Sequence, residues 1–236
     1  MRFGITMGIV CMAALWCAPV AAQQADEMLA AMREMTVSQG ERDVTGSIRT
    51  NHSRDKVPFS LSVRGETLCY QYKQDGAWKR FDVRIREKGA ELAVVEGGKA
   101  RVLAPAGYTQ AIPGTDLCYE DLSLRFLYWK DGRVLEQRER IKGRECYVIE
   151  LRNPKPGVGQ FATVRLWVDC ENGTAWQTDG YGNDGKLRKR FTITSVKKLT
   201  DGTWFFKEMK VEVRDPKNPD RTRALNYLSV DNLPAQ

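Results

Sequence analysis

Phe59-Ser60-Leu61-Ser62-Val63-Arg64 and Leu68-Cys69-Tyr70-Gln71-Tyr72-Lys73 decide the fold. In each run an apolar residue alternates with a polar or small one. A period of two places all the apolar side chains on one face of an extended strand. After Asp75-Gly76, a turn pair, Phe81, Val83 and Ile85 repeat the pattern between charged residues. Lys88-Gly89 and Gly97-Gly98 punctuate short strands over Leu92–Val95 and Lys99–Leu103. Beyond residue 133 the same reading gives Val134–Arg140 and Glu145–Leu151 around Lys142-Gly143, then Thr163–Val168. Trp176–Tyr181 and Leu187–Val196 follow, flanking Asn183-Asp184-Gly185, whose residues suit a type I′ turn. Thr203–Phe206, Lys210–Arg214 and Thr222–Val230 complete the set. Ten or eleven strands at short, regular spacing predict a mainly β (α+β) protein, an antiparallel barrel or strongly curved sheet.

Two segments break the alternation. Asp26 to Met35 carries Met28, Leu29, Met32 and Met35 on one helical stripe, with Asp26 and Glu27 at the end where the helix dipole favours acids. Thr115 to Trp129 holds a heavy apolar load, with Thr115 or Asp116 placed to cap a helix and Glu120 and Asp121 near its start. The segment Tyr119–Tyr128 therefore reads as one or two helical turns buried in the concave side of the sheet.

The first 22 residues read as a secretory signal. Arg2 supplies the positive end, Ile5 to Trp16 the apolar run, and Val20-Ala21-Ala22 the small residues of a cleavage site after Ala22. The apolar run is too short to span a bilayer, and Leu15-Trp16 before Cys17 does not suit a lipid-attachment site. The expected product is one exported, soluble domain, residues 23–236. It contains no internal repeat or composition break. Net charge falls only from +7 to +6 on cleavage, because the leader holds one basic residue and no acid. A modest positive excess outside the cytoplasm suits anionic lipid or cell-surface polymer better than nucleic acid. Cys69, Cys118, Cys146 and Cys170 remain, an even number that suggests two disulfides with the pairing open.

Recognisable catalytic patterns are lacking. His52 is the single histidine, expected to be solvated or structural, so a triad or a histidine zinc site has no basis. Glu120-Asp121 fits helix capping better than acid–base work, and no cofactor is implied. The aromatic load is more informative. A curved sheet lined by aromatics and aliphatics closes on its own side chains or holds an apolar ligand. On alternation alone, the candidate lining residues are Phe59, Leu61, Tyr70, Tyr72, Phe81, Leu124, Trp129 and Trp167.

Four stretches, in order, resemble a known family. Gly114-Thr115-Asp116-Leu117-Cys118-Tyr119-Glu120-Asp121-Leu122-Ser123 is similar to a G(T/S)D-x-x-YEDL signature. Gly143-Arg144-Glu145-Cys146-Tyr147-Val148-Ile149-Glu150-Leu151 is similar to a GR-x-CYV-x-EL strand. Val164-Arg165-Leu166-Trp167-Val168-Asp169 is similar to V-x-LWVD, and Tyr181–Leu187 to a Y-D-x-DGKL hairpin, with Gly182 where the family often has Asp. These belong to LolA-like outer-membrane lipoprotein-sorting proteins, the periplasmic LolA/LolB-like half-barrels. The resemblance spans about Thr36 to Val230. It implies a half-open antiparallel β-barrel of about eleven strands, with helices in or over the concave side. It also implies a monomeric, non-enzymatic carrier of lipoprotein or lipid acyl chains, working with a membrane-embedded partner. A cell-envelope interaction or sensor module on the same fold is the alternative.

Overall fold

The structure, a computed structural model, describes residues 17–37, 42–86, 89–135, 137–198 and 204–232. One antiparallel sheet of 14 strands organises them. Its first half is a meander: β1 (Arg42–Thr50), β2 (Lys56–Arg64), β3 (Thr67–Gln74), β4 (Ala77–Arg86), β5 (Gly89–Glu96) and β6 (Lys99–Val102). The second half contains β7 (Arg133–Val134), β8 (Glu139–Ile141), β9 (Arg144–Arg152), β10 (Thr163–Asp169), β11 (Ala175–Tyr181), β12 (Leu187–Lys198), β13 (Trp204–Arg214) and β14 (Thr222–Asn232). The strand order runs β6-β5-β4-β3-β2-β1-β14-β13-β12-β11-β10-β9-β7, with β8 also on β9. The sheet is open, as the half-barrel expectation requires. The sheet has fourteen strands rather than about eleven. The stretch Val134–Arg140 breaks into β7 and β8, Thr203–Phe206 and Lys210–Arg214 run together in β13, and β1 is a further nine-residue strand whose buried face carries only Val44 and Ile48 as large apolar residues.

The two halves join where β1 pairs with β14, Ile48 opposite Leu228 and Gly46 opposite Val230. Gly46 is demanded by this seam. A Cβ there would lie 2.1 Å from the Ser229 carbonyl oxygen and 2.7 Å from the Phe59 ring. Gly46→Val should therefore cost about 3 kcal/mol or more, since the bulge at Thr45/Gly46 leaves no slack for an added side chain. Urea denaturation would check this; a midpoint equal to that of the parent chain would show that the seam can spread.

The turns follow their residues. Asp75 and Gly76 both have positive φ, 49° and 80°, as do Lys142 and Gly143 at 52° and 81°, the pattern of two-residue I′ hairpins. The Asn183-Asp184-Gly185 turn differs from the expectation: only Gly185 is left-handed (φ 72°), so it is not a I′ turn. Asp184 stabilises it by accepting from the Lys186 N–H and pairing with Arg188.

The period-two pattern delivers its apolar residues to the concave face. Val44, Ile48, Phe59, Leu61, Val63, Phe81, Val83, Leu92, Ile149, Leu151, Leu166, Val211 and Leu228 share one buried core. A smaller cluster, Cys146, Val148, Trp167 and Trp176, packs separately beneath Leu135 and Ile141. Helix α1 spans Cys17–Val37, longer than the expected Asp26–Met35 and beginning within the proposed leader, most of which lies outside the described residues. Its stripe behaves as read: Leu29 is fully buried and Met28 and Met32 pack on the core, while the Met35 side chain lies outside the described set. Among the described residues no helix is long and apolar enough to cross a membrane.

Candidate functional site

Between β6 and β7 the chain crosses the concave face as a plug. It contains a turn of 3-10 helix (Pro105–Thr109), helix α2 (Tyr119–Leu122) and a second 3-10 turn (Arg125–Tyr128). The expected helical stretch is broken because Leu124 is held left-handed, φ 49°, between the two turns. Its own side chains Leu117, Tyr119, Leu122, Phe126, Leu127 and Trp129 are buried. Tyr119 lies against Phe81, centroids 4.6 Å apart, and its hydroxyl meets that of Tyr72 at 2.9 Å.

Beside this plug lies an apolar cavity of about 320 Å³, at the lower end of the range for ligand sites. β1, β2 and β3 form one wall with Val44, Phe59, Leu61, Val63, Leu68 and Tyr70. Leu166, Phe191, Phe205, Phe206, Met209 and Leu228 form the other, and Leu122, Leu124, Phe126 and Leu127 of the plug close it. Met32 of α1 reaches its edge. Phe59, Leu61, Tyr70 and Leu124 of the expected lining are thus brought together. Tyr72, Phe81 and Trp129 are instead core residues. Trp167 sits in the separate cluster with Cys146, and its indole N–H donates to Glu139. On β10 it is Leu166, one residue earlier, that faces the cavity, and a one-residue shift along a strand exchanges faces.

Among the described residues Asp121 is the one acidic side chain on the cavity wall, and it is fully engaged. Its carboxylate accepts from the Cys118 N–H at 2.7 Å, which caps α2, from Gln160 Nε2 at 2.6 Å and from Lys189 Nζ at 2.5 Å. The helix is capped at Cys118, not at Thr115 or Asp116. Lys189 also donates to the Asp116 carbonyl. Burial alone would lower its pKa, but Asp121 outweighs burial and holds it above the usual lysine value. Glu120 turns away from the cavity, paired with Arg125 and accepting from the Gln160 N–H; burial raises its pKa. The two carboxylates therefore fix the plug to β12 and to the loop after β9. Among the described residues no group of acidic, cysteine and histidine side chains could hold a metal ion, and His52 is exposed on the β1–β2 connection.

The family model that matches the chain is described as an uncharacterized protein family and covers residues 97–230, more than half the length. The chain belongs to that family. No curated protein matches in sequence. Solved structures place the fold. A domain assigned as an outer membrane lipoprotein-sorting protein, from Vibrio parahaemolyticus, superposes with a TM-score of 0.71 at 16% identity, covering 91% of this chain and 93% of its own. A LolA superfamily protein from Nitrosomonas europaea gives 0.67 at 17%, covering 92% and 94%. A DUF1329 family protein from Desulfovibrio piger gives 0.61 at 17%, covering 92% and 93%. The family member thus has the LolA-like fold, and at such identities the likeness is one of fold.

In this LolA-like chain the expected disulfides do not form: Cys69, Cys118, Cys146 and Cys170 are all free. Three are buried; Cys69 and Cys118 have surroundings of their own, while Cys146 lies near enough to the half-buried Cys170 for the two thiols to interact. Cys69 Sγ accepts from Arg80, Cys118 Sγ accepts from Gln160, and Cys146 Sγ donates to the Arg144 carbonyl. Burial pushes the Cys118 thiol up to about 12 and raises Cys69 and Cys146 as well. Dithiothreitol should therefore leave the Tm unchanged, and Cys118 should react with a thiol reagent only on unfolding. A Tm lowered by several degrees under reducing conditions would reveal a bridge.

Sequence reading missed Phe191, Phe205, Phe206, Met209 and Leu228 as wall residues. Phe191 and Met209 stand on strands dense with Lys and Arg, so alternation there suggests a surface; only the pairing of β12 with β13 and of β13 with β14 turns them inward.

Proposed function

We propose that the protein is a non-enzymatic binder of acyl chains, from lipid or lipidated protein, acting in the periplasm after removal of residues 1–22 as a leader. The observation that carries this is the cavity: its walls are apolar, and the one carboxylate among them is already neutralised by Lys189. Such a site offers nothing to a charged ligand and much to a hydrocarbon. Each buried methylene contributes about 0.8 kcal/mol, close to a fourfold gain in affinity. Phe59, Leu61, Tyr70 and Leu124 are the proposed contacts, with Phe191 and Met209 opposite. The LolA-like fold supports the reading, as one structural neighbour is assigned to outer membrane lipoprotein sorting.

The test is a titration of delipidated protein with fatty acids of increasing length. Saturable binding that tightens about fourfold per methylene is expected until the cavity is filled. Affinity independent of chain length, or binding that does not saturate, would sink the proposal.

A further inference from the structure

β12 and β13 make the longest hairpin of the sheet, twelve and eleven residues. Pairing of β12 with β11 stops at Thr192, and pairing of β13 with β14 stops at Glu208. Beyond those points Val196 still faces Phe206, and Lys197 faces Phe205, so the last residues of the hairpin form a two-stranded ribbon. This ribbon sets aromatic rings of the cavity wall beside exposed cations. Phe205 and Phe206 are stacked, centroids 4.9 Å apart at 21°, are only partly buried, and reach back into the cavity wall. Lys197, Lys198 and Lys207 beside them are exposed. Lys142 Nζ donates to the Ile193 carbonyl at 2.9 Å, adding a fourth cation at the ribbon's base, while the nearby Glu208 carboxylate accepts from the Thr194 and Ser229 hydroxyls.

Aromatic rings flanked by exposed cations suit the boundary of a bilayer: the rings settle at the level of the headgroups and the ammonium groups meet anionic lipid. Here the same rings continue into an apolar cavity. We infer that the β12–β13 ribbon docks the mouth of the cavity on an anionic lipid bilayer, with Lys197, Lys198 and Lys207 supplying the attraction. An acidic protein would be met by the lysines equally well. It would give no reason for stacked, partly buried phenylalanines that line the cavity, so the bilayer is the occupant the geometry favours.

The experiment is vesicle co-sedimentation at low salt, comparing phosphatidylcholine vesicles with vesicles containing about one-third phosphatidylglycerol, in the range where surface charge is weakly screened. The parent chain should bind the anionic vesicles preferentially and lose that binding as salt is raised. The triple variant Lys197→Gln, Lys198→Gln, Lys207→Gln should bind them about a hundredfold more weakly, each lysine near the surface accounting for a factor of about five. All three side chains are exposed, where the loss of a polar or ionic contact costs at most about 1 kcal/mol, so the variant should keep its urea midpoint to within that and keep its fatty-acid titration. That titration separates failure of this inference from failure of the acyl-chain reading. Equal binding of parent and variant to anionic vesicles would overturn it, as would tighter binding of the parent to soluble polyglutamate than to vesicles.

Discussion

Lys189→Met is expected to lower the stability of the protein by about 3–5 kcal/mol, the largest effect of any surface-to-core contact described above. Lys189 sits on β12 with its side chain 9% exposed, and its partner carboxylate on Asp121 is wholly buried. Removing the ammonium leaves that carboxylate inside the plug with two remaining donors, the Cys118 N–H and Gln160. A buried charge stripped of its counter-ion costs far more than the pair contributes when intact. The double variant Asp121→Asn, Lys189→Met should recover most of the loss: Asn keeps an acceptor for the Cys118 N–H, and no charge remains to be compensated. Urea denaturation of the two variants checks this, and a double variant no more stable than the single one would locate the cost in packing rather than charge. Because α2 carries Leu122 into the cavity wall, the single variant should also bind fatty acid more weakly.

Met209→Trp should abolish most acyl-chain affinity while leaving the fold in place. Met209 lies on the wall, partly exposed, paired across the sheet with Ile193 and Leu228. An indole there would occupy space that about four methylenes of a ligand would otherwise take. At about 0.8 kcal/mol each this amounts to roughly 3 kcal/mol, about two-hundredfold in Kd. Stability should change by less than about 1.5 kcal/mol, because the side chain enters empty volume instead of a packed core. Fluorescence titration with the fatty acid that binds the parent best measures the loss. Unchanged affinity, with the urea midpoint also unchanged, would show that the ligand does not use this cavity.

The strands were legible in the sequence wherever one face was apolar and the other polar, as at Phe59–Arg64 and Leu68–Lys73. They were fainter where the inward face carried few large apolar residues, as in β1, whose buried positions alternate regularly but include only Val44 and Ile48 as large apolar side chains. Trp167 shows the limit of an argument from alternation: period two says which residues share a face and not which face turns inward, and here Leu166 faces the cavity while Trp167 packs on the other side with Cys146. The disulfides failed for a different reason. Cysteine count and compartment say nothing of distance, and Cys69, Cys118 and Cys146 each occupy a separate hydrogen-bonded niche. The plug was found as a segment but not as a latched one. The ion pair of Asp121 joins residues 68 positions apart, and Lys189 stands in Arg188-Lys189-Arg190, a run that on its own reads as solvated charge.

The seam between β1 and β14 bears on when this protein is able to fold. The middle of the sheet is made from the two ends of the chain, so contacts of very high sequence separation complete it. A nascent chain still lacking Thr222–Asn232 has two half-sheets, each with an open inner edge, and no means of joining them. Loop closure across almost the whole polypeptide comes late and slowly. The sheet therefore cannot be completed before Thr222–Asn232 has been made, and until then the inner edges of both half-sheets carry unpaired strand groups open to wrong pairing.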